Sequence, residues 1–116
     1  MVHIDRLDTR DDLSRLASLL EEIVGGLREA LELDPKNRRA SQLLERVLRE
    51  MGRWDDVARA LEQFVSESTA KDERVAALIR LARVQKRKLG EAERAMAAYE
   101  RVLDLSPGQP EATRQP

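Results

Sequence analysis

The 116-residue chain contains no cysteine and a single histidine, His3, so neither a disulfide framework nor a thiolate or multi-histidine metal centre is available to it. Redox and zinc chemistry are excluded on that ground. Aromatic residues make up only 3 %, and five Gly with four Pro are too few for a turn-rich sandwich or barrel. No uncharged stretch approaches the ~20 residues needed to span a bilayer, and the opening Met1-Val2-His3-Ile4-Asp5-Arg6 carries charge where a secretory signal needs an apolar run. A cytoplasmic protein without membrane attachment is expected. What remains is 37 % charged residues and an aliphatic hydrophobic set of Leu, Val, Ile and Ala, the composition of helices with exposed polar faces. A single all-α domain follows.

Self-similarity runs through the chain. Residues 27–35, LREALELDP, match residues 99–107, YERVLDLSP, in kind at every position except Asp34 against Ser106, at an offset of 72. Gly52 and Gly90 stand 38 residues apart, each between two helical patterns. A middle unit therefore fits between the two ends.

Periodicity places the elements. Leu13, Leu16, Leu20, Ile23, Leu27, Ala30 and Leu31 recur at three and four, predicting a helix over 10–33 with one buried face, a weak capping box at Thr9 and Asp12, and a stop at Asp34-Pro35. The Gly25-Gly26 pair costs roughly 1 kcal/mol per Gly and marks a kink or a close approach of a neighbouring helix; close approach is expected. Asn37 caps a second helix over 38–51, which Gly52 ends. A third starts near Trp54 and gives way to a polar loop at Ser66-Glu67-Ser68-Thr69. Thr69 with Asp72 opens a fourth, which closes at Gly90. A fifth covers 91–105 and closes at Ser106-Pro107. Residues 1–9 read as a flexible N-terminus, 10–107 as the helical domain, and 108–116 as a disordered tail.

A helix, a Gly turn, a second helix and an Asp-Pro or Ser-Pro closure at about 34 residues resembles the tetratricopeptide repeat (TPR). Leu44, Leu48, Gly52, Trp54, Val57, Leu61 and Phe64 fall on that family's packing positions in one repeat, and Leu78, Leu81, Ala82, Gly90, Ala95, Tyr99, Val102 and Pro107 in the next. Glu45 and Val57 stand where small residues are usual, and Thr69 where Pro is. The resemblance implies antiparallel helical hairpins stacked as a short right-handed superhelix of about five helices. Only the second helix of the first repeat is recognisable, so the long first helix reads as an N-terminal cap. The bared last helix leaves two options, a piece of a longer array or pairing with another copy.

Carboxylates at Asp11-Asp12, Glu21-Glu22 and Asp55-Asp56 are sequence neighbours, which on a helix point about 100° apart and do not converge on a substrate. They read as first-turn or solvated acids. His3 lies at the terminus, and no phosphate-binding glycine loop is present, so no catalytic, metal or cofactor site is expected. Trp54, Phe64 and Tyr99 read as packing aromatics, and Met51 and Met96 as gap fillers. Charge is unevenly placed: nine acids against four bases between Asp5 and Asp34, but seven bases against two acids from Arg74 to Arg94. The resemblance implies that the first helix of each repeat lines a partner-binding groove. Carried over, those positions are Arg39, Gln42, Arg46, Arg49 and Glu50, then Ala76, Ile79, Arg83, Lys86 and Arg87. The expectation is a non-enzymatic scaffold holding an acidic peptide or protein, with Ile79 and the Arg stems supplying apolar contact. The plainer alternative is a solvated basic face. Nucleic acid is disfavoured, because the basic stretch from Arg80 to Arg94 has no stacking aromatic.

Overall fold

A computed structural model describes residues 9–108 as five helices, α1 (Thr9–Leu33), α2 (Arg38–Glu50), α3 (Trp54–Glu67), α4 (Lys71–Arg87) and α5 (Ala92–Leu105). The expected flexible start and disordered tail lie outside the described residues, apart from Thr9, which opens α1, and Gly108, which sits in a turn. Connections of three or four residues leave consecutive helices no option but to fold back on one another. Each helix packs on its chain neighbours, giving a stack of 57 × 34 × 23 Å. Its radius of gyration is 17.3 Å, against about 13 Å for a compact chain of this length.

Local chemistry sets most of the boundaries. Asn37 accepts a hydrogen bond at Oδ1 from the Ala40 amide at 3.0 Å and caps α2. Gly52 and Gly90 adopt φ of +69° and +66°, the left-handed conformation that closes α2 and α4. An added Cβ at Gly52 meets no neighbour, so the strain there is purely torsional. Gly52→Ala is accordingly expected to lower stability by about 1 kcal/mol, read as a melting temperature several degrees lower with an unchanged helical spectrum.

Two boundaries differ from expectation. Helix α3 runs through Ser66 and Glu67, and α4 is capped at Ala70 with no side-chain hydrogen bond, so Thr69 is not its N-cap. The Ser68 hydroxyl donates to Glu73 at 3.3 Å instead, and this contact spans the loop that a Thr69 cap would have shortened.

The core is centred on α4, which buries Val75, Ala77, Leu78, Ile79, Leu81, Ala82, Val84 and Gln85 because α3 and α5 cover it on two sides. Helix α1 behaves differently. Of its expected apolar face, Leu13, Leu16 and Ile23 are 60, 52 and 48 % exposed, while Val24 is the residue driven fully into the core. Length accounts for part of this, since α1 has 25 residues and α2 has 13, and face for the rest, since Ile23 is the neighbour of buried Val24 but points to a side that α2 does not cover. Gly25 and Gly26 lie exposed within one continuous helix, and nothing in the chain comes within 4 Å of a Cβ built on either, so the expected close approach is not made inside the molecule. On α5, Met96 is the one large hydrophobic left exposed among the described residues. The anticipated bared apolar last helix is therefore not what the fold presents.

Candidate functional site

Second-neighbour helices are joined by ion pairs. Arg38 of α2 bonds Glu73 of α4, and Arg80 of α4 holds both oxygens of Glu45 of α2, through Nε at 3.0 Å and Nη2 at 3.2 Å. Each pair spans 35 residues, so α2 and α4 run parallel and in register. The same device appears on the other side of the stack. Arg28 of α1 reaches Asp56 of α3 at 3.6 Å, and Arg101 of α5 reaches Glu62 of α3 at 2.8 Å. Arg53, at the start of α3, is bound by Asp56 and Glu21. Its hydrogen bond to Asp56 raises its pKa further, against a desolvation that acts the other way, with Glu21 adding to the rise. A raised cation loses its stabilising contribution only as pH climbs through its folded pKa, so Arg53 itself keeps its charge except in strong alkali.

Glu45 explains a departure noted in the sequence. It stands where the repeat usually has a small residue, and its side chain is only 13 % exposed because it is enclosed by Arg80 and Arg49. Arg49 is thereby turned from the expected groove: its Nε bonds Glu45 at 3.0 Å, and its guanidinium lies 5.8 Å from the Trp54 ring centroid. Lys88 approaches the same ring at 4.8 Å. Trp54 packs half-buried against the core as expected, but its role as a platform for two cations was missed. The spacing of Arg49 and Lys88 to Trp54 in sequence carries no signal for it, since Lys88 arrives through the tertiary fold.

Arg39, Gln42, Arg46 and Glu50 of α2 are exposed, as are Ala76, Arg83, Lys86 and Arg87 of α4. Ile79 is 8 % exposed and belongs to the core cluster, where it meets α4's neighbours rather than a partner. The apolar contact expected of it falls to the Arg stems alone. Arg39 and Gln42 also line a hollow of about 570 Å³ beside Pro35, Phe64 and the loop before α4, which does not extend to Arg46, Arg83, Lys86 or Arg87. A larger cleft of about 800 Å³ lies between α3 and α5 over α4. At its floor is Gln85, 7 % exposed, whose Oε1 is buried without a hydrogen-bond partner. Sequence reasoning passed over Gln85, because only the packing of α3 and α5 makes a polar residue on α4 unusual.

Asp55 and Asp56 form no convergent acid pair: Asp56 is occupied by Arg28, Arg53 and Arg59. Among the described residues no group of three metal-ligating side chains converges, and no helix is long and apolar enough to cross a membrane.

Comparison with known proteins adds the following. No curated protein matches the chain. Among solved structures, the crystal structure of MamA is similar at 20 % identity, covering 87 % of this chain and 77 % of that one with a TM-score of 0.41. The family model of the tetratricopeptide repeat matches residues 77–113. That span takes in most of α4, the left-handed turn at Gly90 and all of α5. The hairpin of α4 and α5 thus matches the tetratricopeptide repeat, and over that hairpin the chain is similar to the proteins of that family.

Proposed function

We propose that the chain is a non-enzymatic interaction module that holds an extended acidic segment of a partner protein across the outer faces of α2 and α4. Repeats of this family generally mediate contacts between proteins. The observation that carries the reading is the exposed basic set Arg39, Arg46, Arg83, Lys86 and Arg87, borne on two helices whose spacing the Glu45–Arg80 and Arg38–Glu73 pairs hold fixed. On α2 the one exposed carboxylate is Glu50. Arg forks take carboxylates in bidentate fashion, and a rigid spacing between cations selects an extended chain over a compact one. A cytoplasmic setting, expected from composition, belongs to the same proposal.

The test uses a fluorescent Glu/Asp-rich peptide and anisotropy. Arg46→Glu with Arg83→Glu is expected to weaken binding at least ~10-fold, and added salt to weaken the wild type, while the circular dichroism of the variant stays unchanged. Equal affinity of variant and wild type discards the basic face as the site.

A further inference from the structure

Helix α3 is packed on both flanks, by α2 and by α4, whereas among the described residues α1 packs chiefly on α2 and reaches α3 through the Arg28–Asp56 pair. At 100° per residue, Leu20, Val24, Leu27 and Leu31 form the stripe that α1 turns to the core. A second stripe, about a quarter-turn round by that spacing, carries Leu16, Leu19, Ile23, Gly26 and Ala30 at intervals of three and four. Its large members stay open to solvent at 52, 55 and 48 % exposure. Gly26 lies in its middle, exposed and with no neighbour within 4 Å. A helical glycine with no contact in its own chain is a cost without a return there, and it is the residue that lets another helix approach closely.

We propose that this second stripe of α1 is a self-association face on which two copies of the chain pair antiparallel. Three features point to a second copy. Pairing about Glu21 sets Leu16 over Gly26 of the second copy and Leu19 against Ile23, each contact made twice by the twofold axis, so large side chains fill the space that glycine leaves. The same register brings Arg15 toward Glu29 of the second copy, and neither residue is in an ion pair among the described residues. Parallel pairing instead sets Gly26 on Gly26, leaving a void. The interface, with its polar rim, is on the order of 1,000 Å², the lower end of specific association. Two Glu22 carboxylates near the axis hold the affinity down further. The dimer is therefore weak and concentration-dependent. The stripe shares no residue with the basic set on α2 and α4, so the two sites can be tested separately.

Sedimentation equilibrium over roughly a 100-fold concentration range tests it. The wild type is expected to pass from monomer to dimer. Gly26→Leu is expected to raise the melting temperature, because a Cβ there meets nothing and glycine is a poor helix former, yet to weaken dimerisation at least ~10-fold. Retained helicity and peptide binding in that variant separate the loss from unfolding and from the groove. Because the chain has no cysteine, Leu16→Cys and Gly26→Cys report orientation: the disulfide is expected when the two variants are mixed and not in either alone. A strict monomer, a dimer indifferent to Gly26→Leu, or a Leu16→Cys chain that cross-links to itself overturns the proposal.

Discussion

Truncating Leu78 to alanine is expected to remove about 3–5 kcal/mol of stability, the largest effect of any single side chain in the molecule. Leu78 is fully buried on α4, the helix that α3 and α5 both pack against. Its loss opens a cavity between α4 and the helices that pack on it, which the surrounding structure fills only in part. A domain of this size has roughly 5–15 kcal/mol to lose in total, so the variant stands close to the unfolding threshold. Urea denaturation followed by circular dichroism checks this, with a midpoint expected to fall by about 1–3 M. Leu33→Ala is the control. Leu33 is 89 % exposed, and its truncation is expected to change stability by less than ~0.5 kcal/mol. Similar losses in the two variants would falsify the placement of the core on α4.

Replacing Glu45 by alanine is expected to destabilise the fold by about 1–3 kcal/mol, although it restores the small residue that the repeat usually carries there. Read from the family pattern alone, the change looks favourable. The fold decides otherwise, because Glu45 is the common acceptor of Arg80 and Arg49, and its removal leaves the guanidinium of Arg80, only 36 % exposed, without that partner between α2 and α4. A double-mutant cycle with Arg80→Met isolates the pair: a coupling energy near zero would show that the ion pair does not join the helices. The α2–α4 spacing matters for function as well. Glu45→Ala is therefore expected to weaken acidic-peptide binding without touching an exposed groove residue, whereas Leu33→Ala leaves it unchanged.

Local signals in the sequence were reliable where one residue settles its own conformation. Asn37 caps α2 through its own side chain, and Gly52 and Gly90 take the left-handed φ that other residues avoid. Thr69 is not the cap: α4 starts after Ala70, and the side-chain contact at this end is Ser68 to Glu73, five residues apart. On α1 the period of three and four was read correctly as helix, but the same spacing is shared by two adjacent stripes. It gave no means of telling Leu16 and Ile23, which stay in solvent, from Val24, which does not. Of the expected groove, the exposed bases on α2 and α4 follow from helical phase, while Arg49 is engaged by Glu45 on its own helix and by Trp54 on α3, and Ile79 is taken into the core.

Helix content, the order of the helices, their turns and the two-hairpin repeat are written in the chain itself, because each depends on contacts within a few residues. Which apolar residues are covered, which cations are already engaged, and the Trp54, Glu45 and Gln85 environments were decided only on stacking. Those outcomes depend on the lengths and relative positions of helices some 35 residues apart, and a window of one helical turn holds no information about what will arrive from that distance.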